Sequence, residues 1–466
     1  MRKLYWYISS YVRKHGLVFI LSIAGALLFF SFLLPLLNKK LALKKSTYIA
    51  IVGEYTLTDL PKPIKNQLSA GLTEIGDDLQ AQPLLAERWV VEDEGKQYRF
   101  VLKKDVKWQD GKELKPEDVH YNFADVQTIS TPNEIIFTLP EAFSPFTVSV
   151  SEPILRTEWE KKFLTADKMK IIGIGQYEMI DYKLKGNRLT EMKIDGPNSR
   201  YIYRFYLTEN EAVSAFKKGE VDVLLNISDC YDLCDWPNLE IDKELAYDQY
   251  LAVFFNNADL LLTKNVRQAL SYVLEKNYAS ARALGPINPK SWVYLQGGKD
   301  YAKDFDRAIE RLLSDLPRNP LHFELTTSSN FIAEAEGIKK ELEDFGPLAV
   351  EKCNASSDVQ DKSFCQNLAI EITIKISNFP DLSNYQLLLI GQESSIDPDQ
   401  YFMWHSSQST NFTHYKNTRI DSLLEKGRKT LDLEERRTIY QEFQQYLLED
   451  PPAIFLRYLN NYSIAR

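Results

Sequence analysis

The feature that most constrains this chain is an apolar run near its beginning, "LVFILSIAGALLFFSFLLPLL", which occupies residues 17–37 without a single charge. At about 1.5 Å of helical rise per residue, the run is long enough to cross a hydrocarbon core of about 30 Å. It exceeds the roughly 7–15 apolar residues of a cleaved signal peptide, and no cysteine near its end could carry a lipid. A buried core helix is rarely apolar on every face and flanked by lysines. We therefore expect a single transmembrane anchor at 17–37, preceded by a basic segment at 1–16.

The charges are distributed unevenly between this beginning and the rest of the chain. The formal net charge is −9, but the first 45 residues hold eight lysines and arginines and no acid. Removing those eight positive charges leaves −17 for the remainder. Nucleic-acid binding needs a basic face, so an acidic body predicts no nucleic acid among the partners. A chain of 466 residues can form two or three lobes around separate cores, and we expect the body to be monomeric.

The four cysteines form two local pairs in the sequence, Cys230 with Cys234 and Cys353 with Cys365. An even number in close pairs is typical of an oxidising compartment and predicts two disulfides with short loops. Four unrelated buried thiols remain an alternative at this level. Neither pair has the spacing of a zinc site, and no histidine pair accompanies them. Equal numbers of basic residues flank the apolar run, so only the cysteines favour a body in the periplasm or outside the cell.

The remaining pattern alternates strands and helices. Residues 46–53 read as a short buried strand, and two further strands surround the turn Asp93-Glu94-Gly95. Pro116 is expected to open a helix with Glu117 and Asp118 in its first turn, where acids favour the positive end of the helix dipole. Helix, strand and helix then alternate over residues 306–346, as in a parallel α/β lobe. Gly219 predicts the stop of a helix in the segment that begins at Glu209, and Asp432 with Glu435 forms a capping-box-like pair that predicts the start of another helix.

No motif in the chain predicts catalysis. Gly173-Ile-Gly175 lacks the third glycine of a dinucleotide-binding loop, and the sequence has no phosphate-loop lysine motif. The five histidines include no pair at metal-ligand spacing. Carboxylates are plentiful, but no local signature selects a pair for hydrolysis. We therefore expect neither an enzyme nor a cofactor.

Eight segments, in this order, resemble one family: the extracellular solute-binding proteins of ABC importers, family 5, the oligopeptide, dipeptide and nickel class. The "KW-x-DG" turn followed by "EDV" is the most specific of them. The resemblance covers nearly everything after the apolar run. The segments are "QPLLAERW", "YRFVLKKDVKWQDGKELKPEDVHYNF", "GIGQYEM", "AFKKGEVDVLL", "VFFNN", "NVRQALSYVLEK", "IDPDQYF" and "NFTHYKNTRIDSLLEKGRKTLDLEERRTIYQEFQQYLLEDPPAIFLRY".

The resemblance implies an α/β fold of the periplasmic-binding-protein type, with two large lobes joined by two crossing strands and a smaller domain inserted into the first. The expected bounds are 46–74, 170–257 and 451–466 for lobe 1, 75–167 for the small domain, and 258–450 for lobe 2. It also implies a peptide or similar solute as ligand and ABC permease subunits as partners. A membrane-anchored sensor or peptide chaperone that is not coupled to transport is the alternative.

The resemblance also places candidate ligand-binding residues. Peptide binders of this family pair the free amino group of the peptide with an aspartate before the "DP" turn. That position falls at Ser394 here, and Glu393 is the only acid beside it, so we expect Glu393 to govern the charge preference for the ligand. The full set of candidates is Gly391, Gln392, Glu393, Ser394, Asn256, Asn257, Thr58, Asp59 and, as an aromatic wall, Trp404.

Overall fold

A computed structural model describes residues 6, 14–18, 21–27, 29, 44–160, 168–357 and 359–466. More than half of the expected anchor, residues 19, 20, 28 and 30–37, lies outside the described residues. The described residues 14–18 and 21–27 are helical. Within the part of the chain that is described, no helix has both the length and the apolar character needed to cross a membrane.

Most of the strands join one large sheet, whose order is β10-β11-β12-β1-β13-β18-β14-β17-β15-β16. The strands are β1 Lys45–Val52, β2 Thr73–Ile75, β3 Ala81–Pro83, β4 Ala86–Glu92, β5 Gln97–Leu102, β6 Gln127–Ser130, β7 Glu134–Thr138, β8 Arg156–Glu160, β9 Lys168–Ile172, β10 Glu178–Lys185, β11 Arg188–Asp195, β12 Ser199–Tyr206, β13 Val223–Ile227, β14 Glu240–Phe255, β15 Leu321–Thr327, β16 Ile370–Ile376, β17 Leu387–Glu393 and β18 Ala453–Ala465.

The helices cover the large sheet and build the second half of the molecule. Polar side chains cap several of them: Asp432, for example, accepts a hydrogen bond from the backbone N–H of Glu435, as the sequence predicts. The α-helices are α1 Lys62–Leu68, α2 Phe146–Ser149, α3 Glu209–Lys217, α4 Lys264–Val273, α5 Phe305–Ser314, α6 Ile332–Ala355, α7 Tyr401–Trp404, α8 Thr418–Lys429 and α9 Leu433–Glu449.

Both halves of the large sheet contain parallel strands connected through helices. In the first half, β1 lies parallel to both β12 and β13. Helix α3 connects β12 to β13 along the chain. Thr208 caps α3, and Gly219, with φ +74°, turns the chain back toward β13. In the second half, β15 lies parallel to β16 and β17. These parallel units, covered by helices, give the α/β architecture that the sequence predicts.

Two long strands connect the halves of the sheet. β14 and β18 run antiparallel to each other, from the pair Glu240–Ala465 at one end to the pair Phe254–Ala453 at the other. At one end β18 also pairs with β13, and at the other β14 also pairs with β17. The chain therefore crosses between halves on two adjacent strands, which is the arrangement implied by the resemblance. The exact domain bounds given above remain predictions.

The small domain is built on a four-stranded sheet, β4-β5-β7-β6, whose inner face carries an aromatic cluster that includes Tyr98, Phe100 and Phe137. The turn at Gln109-Asp110-Gly111 attaches this domain to lobe 1. The Gln109 amide nitrogen donates to the carbonyls of Leu68, Gly175 and Tyr177, and its oxygen accepts from Gly173 N–H at 2.9 Å. A side chain at Gly173 would collide with the Leu68 carbonyl oxygen. The Gly-Ile-Gly motif is therefore structural.

The expected helix after Pro116 is wrong. Only a single 3₁₀ turn, Pro116–Asp118, forms there. The Asp118 carboxylate accepts from the Lys115 backbone N–H at 3.0 Å and from the Trp108 indole N–H at 3.3 Å. The chain then extends, because Tyr121 stacks on Phe123 at 5.2 Å within the aromatic cluster and donates to the Val150 carbonyl. Tertiary packing of these rings overrides the local helical pattern.

Both local cysteine pairs are bonded. Cys230–Cys234 and Cys353–Cys365 each have a Cα–Cα separation of 5.5 Å, within the normal range for a disulfide. Cys353 lies near the end of α6 and is fully buried together with Cys365 in the core of lobe 2. The structure contains no free cysteine among the described residues.

Candidate solute-binding cleft

The two crossing strands are irregular where they pass between the halves of the sheet. Ala246 of β14 pairs with Leu459 of β18, yet Tyr250 pairs with the adjacent Tyr458. Residues 247–249 therefore bulge out of the β14–β18 ladder. Bulges of this kind re-aim side chains and are common beside functional sites. This one directs Asp248 toward open space between the lobes.

The bulge is also paired with β17, the strand that carries the predicted ligand-binding residue Glu393. Gln249 pairs with Glu393 of β17, and the Ser394 backbone N–H donates to the Asp248 carbonyl at 2.7 Å. The Ser394 hydroxyl donates to the Pro286 carbonyl at 2.6 Å. The end of β17 and the bulge of β14 thus form one continuous wall, held by backbone pairing.

Two adjoining cavities of about 600 Å³ and 760 Å³ lie along this wall. The smaller one extends toward the small domain at Gly76–Leu79 and toward Ser394, and the larger one toward Phe331 and Arg457. Residues from both halves of the molecule line them, so the cavities form a cleft between the lobes. The residues shared by the two cavities are Lys62, Asn226, Asp248 and Asn461.

The shared residue Asn226 has a left-handed backbone, with φ +54° at the penultimate position of β13. Asparagine tolerates this region better than most residues. Backbone outliers of this kind are often found at functional sites. Here the conformation occurs where the two cavities join, and Asn461 approaches from β18 on the other side.

Several charges in the cleft already have partners inside the protein. Glu334 and Arg457 form an ion pair at 2.6 Å. Glu209 accepts hydrogen bonds from Ser228 and from the Tyr231 hydroxyl, the latter at 2.7 Å. These groups stabilise the walls of the cleft and are not open to a ligand without breaking an existing contact.

Other charges in the cleft are open. Within the described residues, Asp248 makes no side-chain hydrogen bond or ion pair, and the same holds for the ammonium group of Lys62. Among the described residues, the Lys290 ammonium contacts the ring of Tyr247, at 5.4 Å from its centroid, and has no ion-pair partner. The carboxylates of Asp77 and Glu244 also line the 600 Å³ cavity, and among the described residues they too make no side-chain hydrogen bond or ion pair. Three carboxylates and two ammonium groups are therefore open in the cleft. Such a set complements a solute that carries both an amino group and a carboxylate.

The predicted residues on β17 lie at this cleft to different degrees. Ser394 lines the 600 Å³ cavity directly. Gly391 approaches Leu459 of β18 so closely that a side chain there would press on it, with the added carbon 3.1 Å from Leu459 Cδ1. Gln392 donates to the neighbouring Glu393 carbonyl. Glu393 is exposed and lines neither of the two cavities.

Asp59, in the loop that also contains Thr58, and Glu393 both act electrostatically on the phenol of Tyr55. Burial raises the pKa of the Tyr55 phenol above its ordinary value, and the carboxylates of Asp59 and Glu393 raise it further. Thr58 itself is exposed and shares a hydrogen bond with Thr56 at 3.1 Å. The structure therefore brings Asp59 and Glu393 near one phenol, although none of these three residues lines either cavity.

The structure does not bring the other three predicted residues to the cleft. The Asn256 amide donates to the Tyr385 carbonyl, and Asn257 donates to the carbonyls of Phe255 and Thr413. Both therefore fasten the turn after β14, and Asn257 lines a separate cavity beside Arg267. Trp404 is fully buried and stacks near Phe254 in the core of lobe 2. As a core residue it has no ring face open to the cleft.

Sequence reasoning missed the residues that the two cavities share. Asp248 lies in "AYDQYLAVFF", the second part of β14, where two polar residues interrupt a run of apolar and aromatic residues, and that interruption is a usable signal for a bulge. Lys62 opens α1 just before Pro63, and nothing in its local sequence distinguishes it from a surface lysine. Among the described residues, no group of three or more histidine, cysteine, aspartate or glutamate side chains could hold a metal ion.

Comparisons with known proteins agree with this architecture. The family model described as bacterial extracellular solute-binding proteins, family 5 Middle, matches residues 80–413. Oligopeptide-binding protein AppA of Bacillus subtilis is 23% identical, over 88% of this chain and 84% of its own. Dipeptide-binding protein of Escherichia coli is 22% identical, over 80% of each chain.

A solved structure shares the fold. The crystal structure of NikZ from Campylobacter jejuni in complex with Ni(L-His) matches with a TM-score of 0.67 and 24% identity, covering 91% of this chain and 94% of that one. The family model spans most of the chain, from the small domain to the loop that precedes α8. This chain therefore belongs to the bacterial extracellular solute-binding proteins of family 5.

Proposed function

We propose that this protein is the substrate-binding component of an ABC importer and that it binds a short peptide, or a similar zwitterionic solute, in the cleft between its lobes. The observation that carries this proposal is the pair of adjoining cavities that meet at Asp248, where two crossing strands join the halves. Closure about such strands is a common mode of domain motion around a ligand.

The open charges support a ligand with two free termini. A ligand ammonium group next to Asp248 gains a charge-assisted hydrogen bond, and a ligand carboxylate gains one from Lys62 or Lys290. Closing the lobes removes water and strengthens both interactions, since the effective dielectric constant falls. The remaining hydrogen bonds can come from exposed backbone groups beside the bulge and from Asn226 and Asn461, which select no particular side chain.

We further propose that the body lies outside the cell, as a monomer, and that residues 17–37 anchor it to the membrane. Two disulfides suit an oxidising compartment. Among the described residues of the apolar run, Leu17, Leu21 and Leu27 are more than half exposed, so the rest of the protein does not cover them. An anchored binding protein would deliver its solute to a permease in the same membrane.

Isothermal titration with tetra-alanine, N-acetyl-tetra-alanine and tetra-alanine amide tests the proposed ligand class. The full chain in mild detergent should bind tetra-alanine, and each capped peptide should bind at least about tenfold more weakly, because each cap removes one charge. Equal binding of all three, or binding of nickel–histidine without any peptide, would overturn the proposal. Native mass spectrometry of the purified protein would identify a solute that co-purifies.

A further inference from the structure

A third cavity lies between the small domain and lobe 2. Its volume is about 260 Å³. We call it the side chamber. Trp89 and Val91 of β4 line it from the small domain, and Trp292, Leu431 and Leu433 line it from lobe 2. Trp89 and Val91 are two residues apart on a strand, so both side chains point to the same face.

The polar groups at the base of the side chamber are already satisfied. The Arg436 guanidinium donates to both carboxylate oxygens of Asp397, at 2.5 and 3.0 Å, and also to the Gly427 carbonyl. The Tyr98 hydroxyl donates to the Phe143 carbonyl at 2.9 Å. Burial raises the pKa of Tyr98 to about 12, as expected for a phenol away from water. A ligand entering the chamber therefore meets mainly apolar contacts.

The side chamber adjoins the solute cleft through Leu79, which lines both. Leu79 has φ +63°, a conformation that leucine rarely adopts. The turn around it is held by hydrogen bonds from Gly76 N–H to Gln80 and from Leu79 N–H to Gly76. The backbone N–H of Trp292 reaches across from lobe 2 to the Asp78 carbonyl at 3.3 Å. The strained residue thus lies at the boundary between cleft and chamber.

We propose that the side chamber receives one aliphatic or aromatic side chain of the solute bound in the cleft, with Leu79 at the entrance. The proposal rests on the proposed function and adds a substrate class to it: peptides with a large apolar residue at one position. The volume suits this occupant, since an apolar cavity of about 150 Å³ already holds benzene. An aliphatic or phenyl side chain would bury its surface against the tryptophans and leucines of both walls.

Titration of the full chain with tetra-alanine peptides that carry a single leucine or phenylalanine, one isomer for each position, tests this proposal. One isomer should bind about tenfold more tightly than tetra-alanine, because burial of the larger side chain adds apolar contact. Val91→Trp should fill the chamber and abolish this preference, while tetra-alanine binding stays within about twofold. Val90→Trp is the matched control, since Val90 is adjacent on β4, 44% exposed and outside the chamber.

The possible results of these titrations distinguish the side-chamber proposal from the proposed function. If Val91→Trp fails to fold, Leu433→Glu blocks the same chamber from an exposed position at the start of α9 and should also abolish the preference. Peptide binding without any preference, or a preference that survives both Val91→Trp and Leu433→Glu, would overturn the side chamber alone. Absence of all peptide binding in the wild type would overturn the proposed function, and the side chamber with it.

Discussion

The solute cleft and the side chamber lie next to each other and share Leu79. They differ in whether their charged side chains are paired within the protein. In the cleft, Asp248 and Lys62 are exposed and have no charged partner among the described residues. At the base of the chamber, Arg436 and Asp397 are 4% and 6% exposed and bonded to each other through both oxygens. The cleft therefore keeps several charges open beside others that are paired, whereas the Arg436–Asp397 pair of the chamber is bonded within the protein.

The difference follows from the free energy of hydration. A charge in open water can stay unpaired at little free-energy penalty and remains available to a ligand. A buried charge without a partner loses several kcal/mol of hydration, so the protein must pair it before any ligand arrives. The cleft can therefore select a solute by charge, while the chamber can select only by volume and apolar surface. Four substitutions test this contrast between buried and open charges, from the largest expected effect to the smallest.

Asp397→Asn should destabilise the protein by about 3 kcal/mol, because it leaves the Arg436 guanidinium buried without a counter-charge. Burial lowers the pKa of Arg436, whereas the Asp397 carboxylate and Tyr440 together raise it, and the pKa is raised overall. Urea unfolding at pH 7 measures the loss. The control is Glu435→Gln, whose partner Lys426 is 59% exposed, and its effect should stay below about 1 kcal/mol. Equal losses for both variants would contradict this contrast.

Lys276 is a buried cation with neutral partners, and its charge should make stability depend on pH. Burial lowers the pKa of Lys276 from 10.5 to about 7, although its ammonium donates to the carbonyls of Ser271 and Leu274. Below pH 7 the lysine is protonated in both the folded and unfolded states, and the penalty of burying the charge is fully present. Between about pH 7 and 10.5 the unfolded state binds more protons, so the free energy of unfolding rises with pH.

Comparison of wild type with Lys276→Met isolates this effect. From pH 7 to pH 9, urea unfolding should show the wild type gaining about 2 kcal/mol relative to the variant, near the limit of about 1.4 kcal/mol per pH unit for one group. Lys104→Met, at an exposed lysine, is the control and should run parallel to the wild type. Parallel curves for Lys276→Met would mean that the ammonium stays hydrated.

Local sequence patterns predicted those parts of the fold that local forces determine. The strand at residues 46–53, the helix stop at Gly219 and the cap at Asp432 each depend on a few adjacent residues, and each forms. The helix after Pro116 does not form, because its outcome depends on rings that are distant in sequence, such as Phe137. The local sequence pattern does not show that tertiary packing of distant rings will override helix formation.

The site was harder to predict for the same reason. The resemblance pointed to the end of β17, and Ser394 does line the cleft. Asp248 was missed because a bulge is a mismatch between two strands, and the partner strand β18 lies some 200 residues away in sequence. Trp404 was predicted as an aromatic wall, but an aromatic side chain suits a core equally well, and Trp404 is fully buried there. The pairing of charges, by which the chamber differs from the cleft, likewise depends on the folded structure and could not be predicted from the sequence.

Asp248→Asn should weaken tetra-alanine binding by about 30-fold, near 2 kcal/mol, because the closed cleft would hold the peptide ammonium group without a counter-charge. N-acetyl-tetra-alanine should bind equally to wild type and variant. Asp242→Asn is the control, since Asp242 is an exposed aspartate on the same strand that lines neither cavity. Isothermal titration measures both affinities. A similar loss of affinity for both peptides would show that Asp248 shapes the cleft and does not bind the ammonium group.

Glu393→Gln should have the smallest effect, about two- to fivefold on tetra-alanine and none on the acetylated peptide. Glu393 is exposed and opposite Gln249, and charge pairs in solvent contribute about 0.2–1 kcal/mol. Its carboxylate also contributes to the raised pKa of the Tyr55 phenol. If Glu393 and Asp248 act on one ammonium group, the effect of Glu393→Gln should shrink when Asp248→Asn is already present, because interacting residues are not additive. A larger loss for Glu393→Gln than for Asp248→Asn would reverse their ranks and assign the ammonium group to β17, as the resemblance implies.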